Sequence, residues 1–216
     1  MLSPSGQVST IAGTGSFGLA NGSGLSAKFA FPAGVALSPN DNILYVSDTF
    51  NHCIRKLTRP SITGQPWTVA TLAGTGVAGF ADGSGTAAQF NQPHGLVVAA
   101  NGDIFVADST NYRIRKVTAA GVVSTYFYEG GFFDLPSGLA LDSDENLYVS
   151  DPNIHAIWKL DQGAANVSLV AGGSLGFQDS PAQFNRPVGL AFDENDNLYI
   201  ADEDNHAIRR IDKLTG

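Results

Sequence analysis

The chain has little of what staples, targets or strongly charges a small protein. One cysteine, Cys53, stands among 216 residues, so no internal disulfide can hold the fold and its stability must come from packing. Charged residues make up 15%, with twelve Lys and Arg against twenty Asp and Glu and a net charge of −8. A field of that sign repels phosphate backbones and anionic lipid surfaces, so neither nucleic acid nor a membrane is an expected partner. No run of about 18 apolar residues occurs, as a membrane-crossing helix would need. Residues Met1 to Gly6 carry neither the basic stretch nor the apolar segment of a signal peptide. A secreted parent chain fits the composition as well as a cytoplasmic one, so no compartment is assigned.

Catalytic signatures are missing too. The sequence has no Gly-rich phosphate loop with a Lys, no Gly-x-Ser-x-Gly elbow and no His-Glu-x-x-His. What it has is 25 Gly, 10 Pro and 43% hydrophobic residues. That composition describes a turn-rich, folded, all-β protein.

Self-similarity is the strongest signal. Pro32-Ala33-Gly34-Val35-Ala36-Leu37 recurs as Pro93-His94-Gly95-Leu96-Val97-Val98, as Pro136-Ser137-Gly138-Leu139-Ala140-Leu141 and as Pro187-Val188-Gly189-Leu190-Ala191-Phe192. Each copy leads to a second run ending in Asp48, Asp108, Asp151 or Asp202, which lies 13 residues after the Gly in three copies and 14 in the first. The extra residue, near Asn40, marks a turn or bulge. A third run follows, containing Ile54-Arg55, Ile114-Arg115, Ile157-Trp158 or Ile208-Arg209, and then a fourth, such as Val69 to Gly74 or Val167 to Gly172. Four short β-prone runs per unit, separated by Gly, Asn and Asp turns, predict a β-propeller of four four-stranded antiparallel blades. Its units cover about residues 30–74, 91–127, 134–172 and 185–211 of a single domain spanning 1–216.

Val8 to Gly13 reads as a lone fourth run, and the last unit stops after its third. Antiparallel pairing of residues 7–13 with Ile208 to Ile211 is expected to complete the last blade and close a monomeric ring, since closure removes unpaired sheet edges. Closure by oligomerisation, with the chain a part of a larger six-bladed ring, is the alternative.

The pattern Pro-x-Gly, strand, Asp, Asn-(His/Tyr)-x-Ile-Arg-Lys resembles the NHL repeat, in four copies over nearly the whole chain. The resemblance implies a propeller that binds proteins, RNA or small ligands, and it also admits lyases and lactone hydrolases. The fold therefore leaves function to the site.

Residues present once per blade serve the blade. On that ground Asp48, Asp108, Asp151 and Asp202 are expected to cap turns, and Arg55, Arg115 and Arg209 to lie between blades, partly buried against carboxylates. The third unit carries Trp158 in place of Arg and lacks the Asn, so its turn should differ. Residues that break the repeat on the face of the long loops are the ligand-binding candidates: His94 at the channel mouth, Phe132 and Phe133 on the shortened third loop, and Asp82 and Asp179 on the longer ones. The expected partner is a protein, peptide or small ligand, cationic or neutral. No metal or other cofactor is expected. A calcium reading of Asp82-Gly83-Ser84-Gly85 lacks the alternating oxygen ligands, and a zinc reading of His52, His155 and His206 needs residues of different blades to converge. The chief competing function is a metal-dependent lyase or hydrolase working in the channel.

Overall fold

The computed structural model describes residues 6–62 and 64–213. Blade 1 contains β1 (Gly22–Ser23), β2 (Pro32–Leu37), β3 (Ile43–Asp48), β4 (Cys53–Thr58) and β5 (Thr68–Ala73), in the spatial order β1-β5-β4-β3-β2. Blade 2 repeats it with β6 (Gly83–Ser84), β7 (Pro93–Val98), β8 (Ile104–Asp108), β9 (Arg113–Val117) and β10 (Val122–Phe127). Blade 3 is four-stranded: β11 (Leu139–Leu141), β12 (Leu147–Asp151), β13 (Ala156–Leu160) and β14 (Val167–Gly172). A small hairpin, β15 (Gln178–Asp179) and β16 (Ala182–Gln183), precedes blade 4, which holds β17 (Pro187–Phe192), β18 (Leu198–Asp202) and β19 (Ala207–Ile211). All pairings between these strands are antiparallel.

The four-bladed, all-β arrangement follows the repeat, with two additions. In blades 1 and 2 the loop before the innermost strand lays two residues along the outer edge as a fifth strand, pairing Gly22 with Val69 and Gly83 with Val123. That short ribbon covers an edge that would otherwise present unpaired backbone. The extra residue of the first unit falls in the turn after β2. There the Ser38 N–H reaches the Ile43 carbonyl, a span one residue longer than Ala99 to Asp103 or Asp142 to Asn146.

Blades adhere through apolar faces. Tyr45, Ile54 and Ala73 of blade 1 pack on Phe90, Leu96 and Val106 of blade 2, and blade 2 meets blade 3 through Phe105, Ile114, Leu139 and Val149. Burying each large side chain contributes roughly 1.5–3 kcal/mol. Side chains stitch the inner ends together. Thr49 Oγ1 donates to the Pro93 carbonyl at 2.8 Å, Ser109 Oγ to that of Pro136 at 2.6 Å, and Ser150 Oγ to that of Val188 at 2.6 Å. The glycine of each Pro-x-Gly turn exists for the same junction. A Cβ on Gly34, Gly95 or Gly138 would overlap the carbonyl oxygen of His94, Ser137 or Val188 in the following blade.

The expected closure is where the structure departs from the sequence reading. Gly189, the fourth such glycine, has only Ala201 of its own blade near its Cβ position, at 3.5 Å. β2 packs on β7, β7 on β11 and β11 on β17. Among the described residues no ladder joins residues 7–13 to β19, and blade 4 ends at three strands. The N-terminal segment instead follows blade 1: the Gly13 N–H donates to the Gly24 carbonyl at 2.8 Å, as that of Gly74 does to Gly85 at 3.1 Å. Residues 11–13 thus occupy the place that Leu72 to Gly74 take against blade 2. The four blades form an arc, open between blade 4 and blade 1.

Candidate functional site

Each blade carries one buried aspartate, and in blades 1, 2 and 4 it makes the same network. Asp48 Oδ1 accepts the Ala30 N–H at 2.6 Å, while Oδ2 accepts from Asn51 at 2.8 Å and from Arg55 at 2.6 Å. Asp108 does the same with Asn91, Asn111 and Arg115, and Asp202 with Asn185, Asn205 and Arg209. The expected cap on the following turn is therefore not the geometry in these three blades. The carboxylate grips the loop 17 or 18 residues upstream, and the turn Asn and the strand Arg complete its shell. The Arg residues point back at their own blade's loop: Arg55 donates to the Lys28 and Ala20 carbonyls, and Arg115 to those of Gln89 and Ala81. Phe29 lies 4.9 Å from the Arg55 guanidinium carbon and Phe90 lies 5.2 Å from that of Arg115.

The third unit differs as its sequence requires. With no Asn or Arg to help, Asp151 accepts from the backbone N–H groups of Asp134, Leu135 and Asn153. Burial pushes its carboxyl pKa up and those N–H groups pull it down. Trp158 fills the Arg position, with Phe132 edge-on at 5.3 Å.

At the axis, on the face of the long loops, lies a pocket of about 330 Å³. Thr49 of blade 1, Gln92, His94 and Ser109 of blade 2, Leu135, Ser137 and Pro152 of blade 3, and Arg186, Val188 and Glu203 of blade 4 frame it. Local backbone sets this rim. Gln92 and Arg186 precede the Pro of their Pro-x-Gly turns at φ 52° and 57°, which turns the loop over onto the face. His52 and His155 fix that bend, each Nδ1 accepting the N–H of Gln92 or Arg186 at 3.1 and 3.2 Å. His94 Nδ1 and Ser137 Oγ lie 3.1 Å apart. Packing around the His94 ring lowers its pKa, and the Glu203 charge acts in the opposite direction. Arg186 lies 3.6 Å from Glu203 and 3.3 Å from Asp204, so the rim holds a loose ion-pair cluster beside the His94 imidazole.

Of the sequence candidates, the structure places His94 in this pocket and the other four away from it. Phe133 is buried against Phe127 at 5.6 Å, and Phe132 packs between Phe127 and Trp158, so the aromatic pair anchors the short loop. Asp82 and Asp179 bind the outer nitrogens of Arg115 and Arg209, where blade 1 uses Asn21 for Arg55. His52, His155 and His206 lie on separate blades, and no cluster of three or more His, Cys, Asp or Glu fit for a metal occurs among the described residues. Sequence reading missed Gln92, Arg186 and Glu203. The signal was available, because Arg186 aligns with Phe31, Gln92 and Leu135, and Glu203 with Thr49, Ser109 and Pro152, so both break the repeat as His94 does.

The NHL repeat family matches residues 29–57, 90–117 and 184–211, which are the three blades with the Asp–Asn–Arg network. The chain is 44% identical over 101 residues to the protein SUPPRESSOR OF QUENCHING 1, chloroplastic, of Arabidopsis thaliana, covering 47% of this chain and 9% of that one. It is 32% identical over 155 residues to NHL repeat-containing protein 2 of Gallus gallus, covering 71% and 20%. The chain thus spans a fifth or less of these two relatives. Among solved structures, a gluconolactonase from Xanthomonas campestris superposes with a TM-score of 0.65 at 16% identity, over 87% of this chain and 60% of that one, a likeness of fold alone. Three matched repeats, each built on the same buried aspartate and facing the same axis, place the chain in the family of NHL-repeat β-propellers.

Proposed function

We propose that this propeller is a binding module that seats a protein or peptide segment, or a small ligand, in the axial pocket beside His94. The observation that supports the reading is the make-up of the rim. All four blades contribute to it, and they do so through positions that differ from blade to blade, whereas the repeated residues are spent on the scaffold. Glu203 and Asp204 outnumber the one rim cation, Arg186, which favours a cationic or neutral ligand and predicts binding weakened by salt. The test is fluorescence anisotropy with short peptides of graded charge against the native chain, His94→Ala and Glu203→Gln. Loss of binding in both variants at unchanged melting temperature supports the pocket, and equal binding by all three proteins moves the site elsewhere.

A metal-dependent lyase or hydrolase is the second reading, favoured by His94 and Glu203 lining one pocket. Metal content of the purified protein, measured with turnover of lactone and amide substrates, separates it from a binding module.

A further inference from the structure

The internal junctions of this arc share paired parts, a glycine against a carbonyl at all three and a histidine against a backbone N–H at two, and the two ends of the arc carry the unmatched halves. The glycine of one blade receives the carbonyl of the next Pro-x-Gly turn at three junctions, whereas the Cβ position of Gly189 faces no following blade and Ala33 is exposed. His52 and His155 each accept an N–H from the positive-φ residue of the next blade. His206 is exposed at the equivalent position of blade 4, and Phe31 of blade 1 holds the same positive φ, 50°. Apolar faces tell the same story. Ile208 is 73% exposed where Ile54, Ile114 and Ile157 are fully buried, and Val35 is 63% exposed where Leu96 is 6% exposed.

We propose that the open face of blade 4 docks onto blade 1 of a second copy of this chain, so that copies assemble head to tail through a joint that repeats the internal blade junctions. Blade 1 is the fitting occupant because the surface it presents is the one blades 2, 3 and 4 present to their predecessors. Phe29 stands for Phe90 and Phe184, and Val35 for Leu96, Leu139 and Leu190. The N-terminal segment supplies the missing strand. Val8 to Gly13 aligns residue for residue with Val167 to Gly172, the outer strand of blade 3. A groove of about 460 Å³ runs along β19 between Ala171, Phe184 and Ile211, where such a strand would lie.

Blade 3 fixes the register. There Ala156 pairs with Gly172, Ile157 with Ala171, and, after a bulge, Trp158 with Leu169 and Leu160 with Val167. In the joint, Ala207 faces Gly13, Ile208 faces Ala12, Arg209 faces Thr10 and Ile211 faces Val8 of the second copy. The Gly189 Cβ position then receives the Ala33 carbonyl, and His206 Nδ1 accepts the Phe31 N–H. Such a joint is heterologous, so it propagates until a ring closes.

Light scattering on the full chain tests it. The native protein should show a mass of two or more chains, against 22.5 kDa for one, with the share of assembled protein rising with concentration. Gly189→Ala blocks the blade 4 face with a methyl that meets only Ala201 Cβ of its own blade, at an ordinary contact distance of 3.5 Å, and Val35→Asp blocks the blade 1 face at an exposed position. Each variant alone should be monomeric at native melting temperature, and their mixture should stop at a mass of two chains, since one good face of each remains. A native protein that is monomeric at every concentration overturns the proposal. In that case protection of the Ile208 amide from hydrogen exchange would mean that the chain's own N-terminal strand closes the ring. An assembly indifferent to both substitutions overturns it as well.

Discussion

Arg115 Nη1 donates to Asp108 Oδ2 at 2.8 Å while Nη2 of the same guanidinium reaches Asp82 Oδ1 at 2.6 Å. One buried cation is thus held between a carboxylate that is as buried as itself and one whose side chain is half exposed. The two partners should count very differently. Removing the cation by Arg115→Ala strands the Asp108 charge in the interior and should cost about 3–5 kcal/mol. Asp82→Ala leaves Asp108 and two carbonyls on the guanidinium and should cost about 1 kcal/mol or less, because water screens the lost pair. Urea unfolding of both variants checks the contrast, and near-equal losses would mean that Asp82 is more than an outer cover.

Acidification should weaken the fold through its turn histidines. Burial lowers the pKa of His52, with Asp108 opposing, and the Nδ1 of His52 accepts the Gln92 N–H, a bond that protonation abolishes. A folded-state pKa below the unfolded value of 6.5 means that the unfolded chain takes up the proton first. Stability is therefore full above pH 6.5 and falls as the pH drops from there through the depressed folded value. His94, lowered likewise, adds to the same slope. Tyr112 occupies the His52 position in blade 2 with the same left-handed backbone, so His52→Tyr removes the titration without straining the turn. Melting temperatures between pH 7 and 5 should fall less steeply for this variant than for the native chain.

The blades were legible in the sequence because a propeller repeats its local chemistry, and the four repeated strands of blades 1 to 3 can be read from the Pro-x-Gly turn, the Asp and the Ile that recur in each unit, whereas the two-residue edge strands β1 and β6 carry no such mark. Asp82 was misplaced for a specific reason. Its shared position with Asn21 is plain from the Gly-Ser-Gly that follows both, but the guanidinium it meets lies 33 residues on and no local pattern reports that pairing, while Asp179, 30 residues before Arg209, sits in a loop of another length. Closure could not be read, because strand pairing at the ends depends on the curvature accumulated over four blades and not on any local pattern. Arg186 and Glu203 were overlooked because charged residues in loops read as solvated surface, and only the packed arc brings them beside His94.

Cys53 should behave as a reporter of blade 1. It is fully buried on β4, and desolvation together with the Asp48 charge pushes its thiol pKa up to about 12, with Arg55 opposing. Thiolate is the reactive form, so the native protein at pH 8 should resist alkylation. Iodoacetamide labelling followed by mass spectrometry should proceed only as fast as blade 1 opens, and Arg55→Ala, which loosens the loop on that blade, should accelerate it. Rapid labelling of the native chain would show that β4 is more accessible than its packing implies.

The last prediction separates two ways in which a glycine resists replacement. Gly138 has ordinary backbone angles, yet a Cβ there would overlap the Val188 carbonyl of blade 4 and stand 2.9 Å from Ser150 Oγ, the hydroxyl that stitches the two blades. Neither atom can retreat freely, since both belong to the junction. Gly138→Ala must therefore push blades 3 and 4 apart, at a cost on the order of 1–3 kcal/mol or more. Gly102 is the reverse case, with φ +88° and nothing within 4 Å of its Cβ position. There the penalty is local backbone strain, about 1–2 kcal/mol, with no effect on packing. Stability alone will not distinguish the two variants. Hydrogen exchange will: Gly138→Ala should release protection along β11 and β17 together, whereas Gly102→Ala should change exchange only in the turn between β7 and β8. Unchanged protection of β17 in Gly138→Ala would mean that the blade junction yields without opening.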